Sequence, residues 1–154
     1  MVKKKVANQP KLIQNRRARA DYELGDSLVV GVELTGKEVK SLRLGRGQLR
    51  GAYVTVKDNE LFLLGASITG SNAATLTESE QIRTRKLLAK RREIDALIDA
   101  KQQGRTIVPL ELLTGSRYIK LRIAVGKGKK RYDKRQTIKK RDQERQNQLE
   151  LKRR

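Results

Sequence analysis

Residues 118–125 read YIKLRIAV, and this stretch decides the fold class. Its residues alternate in character, with Ile119, Leu121 and Ile123 on one side and Lys120, Arg122 and Ala124 on the other. Successive side chains of a β-strand point to opposite faces of the sheet. The pattern therefore predicts a strand with one buried face and one solvent-facing face.

Four further stretches predict strands and indicate a mainly β domain. They are rich in β-branched and large apolar residues and comprise residues 27–34, 52–56, 61–66 and 106–113. Asp58-Asn59 separates the second stretch from the third, which is typical of a tight β-hairpin. At least five short strands suit a small closed barrel, and the OB-fold is the nucleic-acid-binding barrel of this kind.

Two stretches predict helices that flank the barrel. In residues 36–44, Val39 and Leu42 lie three positions apart, as on one helix face. In residues 85–103, apolar residues recur at helical spacing up to Gly104, which is a typical helix stop. Residues 69–81 are small and polar and predict a loop.

The charge of the chain calls for a polyanionic partner. The 154 residues carry 37 Lys and Arg against 17 Asp and Glu, which gives a formal net charge of +20. Residues 1–19 hold seven basic residues and no acid, and residues 126–154 hold 13 basic and four acidic residues. Such arms bind phosphates strongly through counterion release. Nucleic acid is the first candidate partner and an anionic membrane surface the second, although no apolar run approaches the roughly 18 residues that span a bilayer.

The C-terminal arm opens with residues 126–145, GKGKKRYDKRQTIKKRDQER, which cannot form a core of their own. Tyr132 and Ile138 are the strongly apolar side chains in this stretch, too few to offset the entropy of ordering it. Ile138 and Leu149 lie eleven positions apart and would share one face of a helix. Because one thin apolar stripe cannot hold a helix in water, we expect a basic C-terminal tail that is disordered when free.

Composition also restricts the chemistry. Cysteine and histidine are absent, which excludes disulfides, Cys/His zinc sites and Cys–His or Ser–His nucleophiles. Gly31, Gly36 and Lys37 match most of a phosphate-binding G-x-x-x-x-G-K loop, but Glu38 stands where a Ser or Thr should reach magnesium. The carboxylates show no recognisable acid–base pairing. We expect no catalytic residue, no metal site and no cofactor.

Four segments resemble the signature segments of the SsrA-binding protein (SmpB) family, in the order and spacing of that family. They are residues 15–19 (NRRAR), 34–41 (LTGKEVKS), 83–95 (RTRKLLAKRREID) and 126–135 (GKGKKRYDKR). The resemblance implies an OB-like barrel with flanking helices that binds the tRNA-like part of transfer-messenger RNA. It implies delivery of that RNA to stalled bacterial ribosomes, where trans-translation tags the unfinished peptide and rescues the ribosome.

The resemblance also implies roles for individual residues. The RNA-binding face would be formed by Asn15, Arg16, Arg17, Arg19, Glu38, Lys40, Ser41, Lys86, Leu87, Lys127, Lys129 and Lys130. The tail would become helical in the mRNA channel of the ribosome near the decoding centre, through Asp133, Lys134, Arg135, Ile138, Lys139, Lys140 and Arg141. A structural carboxylate is an equal alternative for Glu38. A cap for Ser41 and a core position for Leu87 are favoured over contact with RNA.

The expected organisation has three parts. Residues 1–14 form a basic arm, residues 15–130 the RNA-binding barrel with its helices, and residues 131–154 the basic tail. The chain departs from the usual pattern of the family at Ala20, at Val29 and in residues 69–81, where the family commonly has histidine, an acid and a His/Pro-containing run. These departures predict a divergent member of the family. We also expect the protein to be monomeric and cytoplasmic and not to bind membranes.

Other functions fit parts of the sequence. A basic structural ribosomal protein, or a general RNA-binding protein, would also be small and carry basic tails. A structural component should stay with ribosomes through high-salt washing, whereas an adaptor should leave. An RNA-processing enzyme would need a metal-binding acid cluster or an activated nucleophile, and the sequence displays neither pattern. The first hypothesis is a non-enzymatic adaptor.

Overall fold

The computed structural model describes residues 12–153, apart from the side chains of residues 131 and 132. Within this range the strands are β1 (Ile13–Gln14), β2 (Tyr22–Val32), β3 (Gly47–Gln48), β4 (Tyr53–Lys57), β5 (Glu60–Leu64), β6 (Ser67–Ile68), β7 (Arg85–Leu88), β8 (Thr106–Leu113) and β9 (Lys120–Gly128). The helices are α1 (Ala18–Asp21), α2 (Gly36–Arg43), α3 (Glu78–Gln81), α4 (Arg91–Gln102) and α5 (Arg131–Arg153).

Six strands close into an antiparallel ring. The order around the ring is β8, β4, β5, β7, β2 and β9, and β9 pairs with β8 to complete it. Strand β1 pairs with β8, whereas β3 and β6 form a separate two-stranded sheet. The predicted mainly β architecture with flanking helices is confirmed.

The stretch that decides the fold lies mostly in β9 and lines the core. Leu121 and Ile123 are completely buried, whereas Lys120 is exposed, as the alternation predicts. Ala124 is buried as well, because its cross-strand partner Val108 lies in a buried part of β8. Burial of the apolar face of β9 against the other ring strands therefore supplies much of the hydrophobic stabilisation.

The hairpin predicted around Asp58-Asn59 is confirmed. Strands β4 and β5 pair from Tyr53–Leu64 to Lys57–Glu60. Asp58 and Asn59 adopt φ angles of 51° and 59°. Positive φ at both central positions is the type I′ geometry, whose twist matches that of the flanking strands.

Helix α2 starts from a capping box instead of a phosphate-binding loop. The Thr35 hydroxyl accepts a hydrogen bond from the Glu38 amide at 3.4 Å, and the Glu38 carboxylate accepts one from the Thr35 amide at 3.0 Å. This reciprocal arrangement satisfies two N-terminal amides of the helix. Gly31 lies inside β2, so the partial G-x-x-x-x-G-K match begins within a strand and leaves only residues 33–35 between β2 and α2.

The prediction of one helix over residues 85–103 is wrong in its first part. Arg85–Leu88 form β7, which pairs with β5 and β2, and the helix begins only at Arg91. Pairing on both sides overrides the local helical preference. The Glu93 carboxylate marks the new start, because it accepts a hydrogen bond from the Lys90 amide at 2.9 Å. The predicted loop at residues 69–81 ends in the short helix α3.

The two ends of the chain flank the ring. Strand β1 lies in the stretch assigned to the N-terminal arm, and residues 1–11 of that arm lie outside the described residues. At the other end α5 is helical, and each of residues 138–153 is exposed. Lys, Arg, Gln and Glu dominate α5, and these residues favour helix. The prediction of a tail that is disordered in the free protein stays a prediction.

None of the helices between residues 12 and 153 combines the length and the apolar character needed to cross a membrane.

Candidate nucleic-acid interface

The N-terminal basic segment (residues 15–19) is fixed to β8 by its first residue. The Asn15 backbone amide donates to the Leu110 carbonyl at 2.7 Å, and the Asn15 side-chain amide donates to the Pro109 carbonyl at 3.1 Å. The arginines that follow, Arg16, Arg17 and Arg19, are exposed. Asn15 thus acts as an anchor that presents three guanidinium groups to solvent.

The lysine run (residues 127–130) lies directly beside this segment. Strands β2 and β9 pair Tyr22 with Gly128 and Glu23 with Lys127, which brings the end of β9 to α1. The Lys129 amide donates to the Asp21 carbonyl at 2.9 Å, and the Lys129 ammonium donates to the Arg19 carbonyl at 3.1 Å. The two most basic predicted segments of the RNA-binding face therefore form one continuous cationic surface.

Several clefts open on this surface, and two of them are lined by most of its basic side chains. The first, of about 300 Å³, lies between the N-terminal basic segment and the sheet, and its charged walls include Arg16, Arg19, Glu111 and Arg122. The second, of about 500 Å³, lies between the end of β9 and the start of α5, and its charged walls are Glu23, Lys127, Lys129, Lys130, Asp133 and Lys140. Both are lined mainly by donors, which suits anionic groups such as phosphates.

The start of α5 is held against α1. Lys134 forms an ion pair with Asp21 at 3.3 Å, and the Lys129 ammonium lies 3.5 Å from the Thr137 hydroxyl. The Thr137 hydroxyl in turn donates to the Asp133 carbonyl at 2.9 Å. The predicted tail residues divide accordingly. Lys134 is partly buried against Asp21 of α1, and the exposed ones are Asp133, Arg135, Ile138, Lys139, Lys140 and Arg141.

Glu38 lies inside the protein at the centre of an ionic cluster. Its side chain and that of Arg85 are each 1 % exposed, whereas that of Arg83 is 33 % exposed. One carboxylate oxygen, Oε1, accepts from Arg83 Nε at 2.7 Å and from Arg85 Nε at 3.1 Å. The other, Oε2, accepts from Arg83 Nη2 at 2.6 Å and from the Thr35 amide at 3.0 Å. Four donors saturate the carboxylate, so it has no lone pair directed to solvent.

Arg85 is equally saturated. Besides Glu38, it donates through Nη1 to the carbonyls of Ala66 and Arg83, and through Nη2 to those of Glu80 and Gln81. These bonds use all five N–H groups of a guanidinium. The cluster thus ties α2, β7 and the end of α3 together at one buried point.

The cluster keeps Glu38 ionised. Burial alone would raise the pKa of the Glu38 carboxyl, but the hydrogen bonds from Arg83 and Thr35 and the charge of Arg85 outweigh it, and the pKa lies below its ordinary value. Burial lowers the pKa of the Arg85 guanidinium, and its Glu38 partner opposes that change. The hydrogen bond to Glu38 raises the pKa of Arg83.

The remaining predicted residues lie apart from the cationic surface. Lys40 is exposed on α2, and Lys86 forms an exposed ion pair with Glu60 at 2.9 Å. Leu87 is a buried core residue, as favoured from the sequence, whereas the cap favoured for Ser41 is wrong because Ser41 is buried inside α2 and Thr35 caps that helix. Among the contacts described for residues 12–153, none joins these four to the N-terminal basic segment or the lysine run. Burial gives Ser41, Leu87 and Glu38 no surface for a macromolecular partner in this conformation.

Reasoning from the sequence missed several residues that the structure makes important. Arg83, Arg85 and Leu87 repeat at a spacing of two, and this strand-like period could have indicated that Arg85 points inward with Leu87. Arg122 and Glu111 form a cross-strand ion pair that no local sequence pattern predicts. Asp21 forms an ion pair with Lys134, and no sequence pattern indicates this role.

The described residues hold no group of three or more His, Cys, Asp or Glu side chains that could bind a metal ion.

Comparisons with known proteins agree with this picture. The family model described as SmpB protein matches residues 12–153. The chain is 42 % identical over 142 residues to the SsrA-binding protein of Acholeplasma laidlawii, which covers 92 % of this chain and 95 % of that protein. It is 47 % identical over 133 residues to the SsrA-binding protein of Salinispora tropica, and this match covers 86 % of this chain and 84 % of that protein.

A solved chain is similar in structure as well. It is described as "tmRNA-SmpB: a journey to the center of the bacterial ribosome", and it matches with a TM-score of 0.65 at 34 % identity, covering 82 % of this chain and 94 % of that one. The family model spans nearly all of the sequence, and the relatives match over most of their own lengths. This chain belongs to the SmpB protein family.

Proposed function

We propose that this chain is the RNA-binding adaptor of trans-translation. It binds the tRNA-like domain of transfer-messenger RNA and brings that RNA to stalled ribosomes, where the unfinished peptide is tagged and the ribosome is released. The observation that carries the proposal is the meeting of the N-terminal basic segment with the lysine run at the base of α5. In a member of the SmpB family, this contact supports an RNA-binding face that adjoins the proposed ribosome-binding tail.

The ring is proposed to act as an OB-like barrel. Closure of β8 onto β9 and the helices around the ring support this assignment. In such a barrel the outer surface of the strands and the adjoining loops bind nucleic acid. The clefts beside the N-terminal basic segment and the lysine run are the places where RNA phosphates would bind.

Burial divides the proposed site residues into two groups. Those that would touch RNA are exposed, partly exposed or line the clefts: Asn15, Arg16, Arg17, Arg19, Lys40, Lys86, Lys127, Lys129 and Lys130. Glu38, Ser41 and Leu87 would instead support the RNA-binding face from within. For Glu38 the reason is the saturation of its carboxylate by Arg83, Arg85 and Thr35.

The tail, residues 131–154, is proposed to unfold and refold. Residues 138–153 are exposed throughout, so tertiary packing does not stabilise this part of α5. Most helical stability in proteins comes from tertiary packing of an amphipathic face, which this part of α5 lacks. The tail would therefore be largely disordered in the free protein and become helical on ribosomal RNA, with Ile138 and Leu149 on one face. Phosphates of the decoding centre and mRNA channel would neutralise its charge.

The proposal includes the wider setting. The chain would act as a cytoplasmic monomer without a cofactor, and its part in tagging would be binding and delivery and not catalysis. Residues 1–14 would form a basic arm, residues 15–130 the RNA-binding unit and residues 131–154 the tail.

A binding titration tests this proposal. The full chain is titrated onto the tRNA-like domain of transfer-messenger RNA, an ordinary tRNA and a random RNA, at about 50 and about 200 mM salt. We expect a clear preference for the tRNA-like domain that survives the higher salt. Equal binding to the three RNAs, collapsing together in salt, would contradict the proposal and favour a general or ribosomal RNA-binding protein.

A further inference from the structure

We propose that Arg122 is an RNA phosphate contact, held in place by Glu111 in the cleft that it shares with Arg16 and Arg19. Sequence patterns did not single out this residue for RNA binding. The inference rests on the proposed function and adds a binding site on the outer face of the sheet to it.

The register of three strand pairs places Arg122 in a row across the sheet. Gln14 of β1 pairs with Glu111 of β8, Glu111 pairs with Arg122 of β9, and Arg122 pairs with Val29 of β2. Directly paired residues of an antiparallel sheet lie on the same face. The four side chains therefore form one cross-strand row, and β1 leads straight into the N-terminal basic segment.

Glu111 accepts hydrogen bonds from its neighbours on both sides within this row. Arg122 Nη1 donates to Glu111 Oε1, and Gln14 Nε2 donates to Glu111 Oε2 at 3.3 Å. The Glu111 side chain is 13 % exposed, whereas that of Arg122 is 42 % exposed. The carboxylate thus lies below the guanidinium and fixes it, while the guanidinium itself reaches solvent. A fork of five N–H donors that bonds Glu111 through Nη1 retains donors for an incoming anion.

The neighbours of Arg122 specify the charge of the ligand. The first cleft is lined by Arg16, Arg19 and Arg122 and by one carboxylate, Glu111. Three guanidinium groups against one carboxylate leave an excess of positive charge in a cleft of about 300 Å³. Arginine binds phosphate through paired N–H donors, and a guanidinium that is already oriented loses less freedom on binding.

A stabilising role alone does not account for this arrangement. An ion pair with one partner 42 % exposed is solvated and screened, so it contributes little to folding. The pair lies where the proposed RNA-binding face continues onto the sheet. Continuity with Arg16 and Arg19 and the excess of positive charge identify the ligand as an RNA phosphodiester.

Matched charge changes in the full chain test the inference. R122Q removes the proposed contact, and R92Q removes the same charge from the exposed face of α4. Affinity for the tRNA-like domain is measured across a salt series, with the unfolding midpoint of each variant as a check on folding. We expect R122Q to weaken binding about tenfold and to reduce the slope of log K against log salt by about one, because one phosphate contact is lost.

Two further variants keep the result interpretable. R122K keeps the positive charge but lacks the paired N–H donors of a guanidinium. It should therefore retain the slope of log K against log salt but bind RNA more weakly than the unmodified chain. E111Q keeps an oxygen acceptor for Arg122 and removes the negative charge from the cleft. It should tighten binding to all RNAs about threefold.

Equal salt slopes for R122Q and R92Q would overturn the inference. The inference would also be overturned if E111Q weakened RNA binding as much as R122Q does. Loss of either partner would then have the same effect, as expected if the ion pair only stabilises the sheet. The salt slope reports phosphate contacts on any RNA. It therefore decides on Arg122 even if the unmodified chain shows no preference for the tRNA-like domain, a result that would overturn the proposed function separately.

Discussion

Replacing Glu38 by glutamine should destabilise the fold more than it weakens RNA binding. Glutamine has nearly the same shape, but it removes the negative charge between Arg83 and Arg85 and puts a donor where Oε1 or Oε2 accepted hydrogen bonds. Arg85, whose side chain is 1 % exposed, would remain charged without an ionic partner. Removing one partner of a buried ion pair costs about 3–5 kcal/mol.

The expected change is large enough to measure in two ways. For a domain of this size, a loss of about 3–5 kcal/mol lowers the unfolding midpoint by about 6–20 °C, at about 2–4 °C for each kcal/mol. Urea unfolding followed by circular dichroism should give the same loss in free energy at an unchanged m-value. E60Q is the matched control. It removes the same charge from the exposed Glu60–Lys86 pair and should leave the midpoint nearly unchanged.

RNA binding separates the two roles of Glu38. At a temperature where E38Q is fully folded, its affinity for the tRNA-like domain should equal that of the unmodified chain, because the carboxylate is buried and saturated. An E38Q protein that unfolds normally yet binds RNA at least tenfold more weakly would refute this reasoning and restore Glu38 as a contact.

Two further predictions concern the pH dependence of the Glu38 cluster and the attachment of α5 to α1. The pKa of Glu38 lies below its ordinary value of 4.5, so its ionic stabilisation is present above pH 4.5 and is lost as the pH falls through the lowered value. The difference in unfolding free energy between the unmodified chain and E38Q should therefore narrow in acid, and a constant difference down to acid unfolding would argue against the cluster. Asp21 holds the start of α5 through Lys134 at 3.3 Å, so D21N should broaden the distance distribution between spin labels on cysteines introduced at Gln102 and at Arg135, beside this contact. D142N, a charge-matched change on exposed α5, should leave that distribution unchanged, and equal broadening by both variants would exclude a specific role for Asp21.

Local patterns predicted the parts of the fold that local physics determines. The alternation in residues 118–125 gave β9 because a strand with one buried face needs that period. Asp58-Asn59 gave the hairpin because these residues tolerate positive φ. The cationic character of residues 15–19 and 127–130 could also be predicted, since Lys and Arg side chains carry their charge whatever the fold.

The rest depends on contacts between distant residues. Strand β7 is short and precedes a helix, and its pairing with β5 and β2 outweighs its helical pattern. The meeting of Arg19 with Lys129 requires the register of β2 with β9. The Glu111–Arg122 pair follows a register shift in β8 after Pro109, which no local pattern could reveal.

Peptide tagging in a reconstituted translation system tests the central claim most directly. The system translates a message without a stop codon in the presence of charged transfer-messenger RNA, with the full chain, a chain lacking residues 131–154, or neither. The full chain should support tagging. The truncated chain should bind transfer-messenger RNA with nearly the same affinity, because the N-terminal basic segment and the lysine run remain, but should not support tagging. Tagging by the truncated chain, or none with the full chain, would contradict an adaptor that uses the ring for the RNA and the tail for the ribosome.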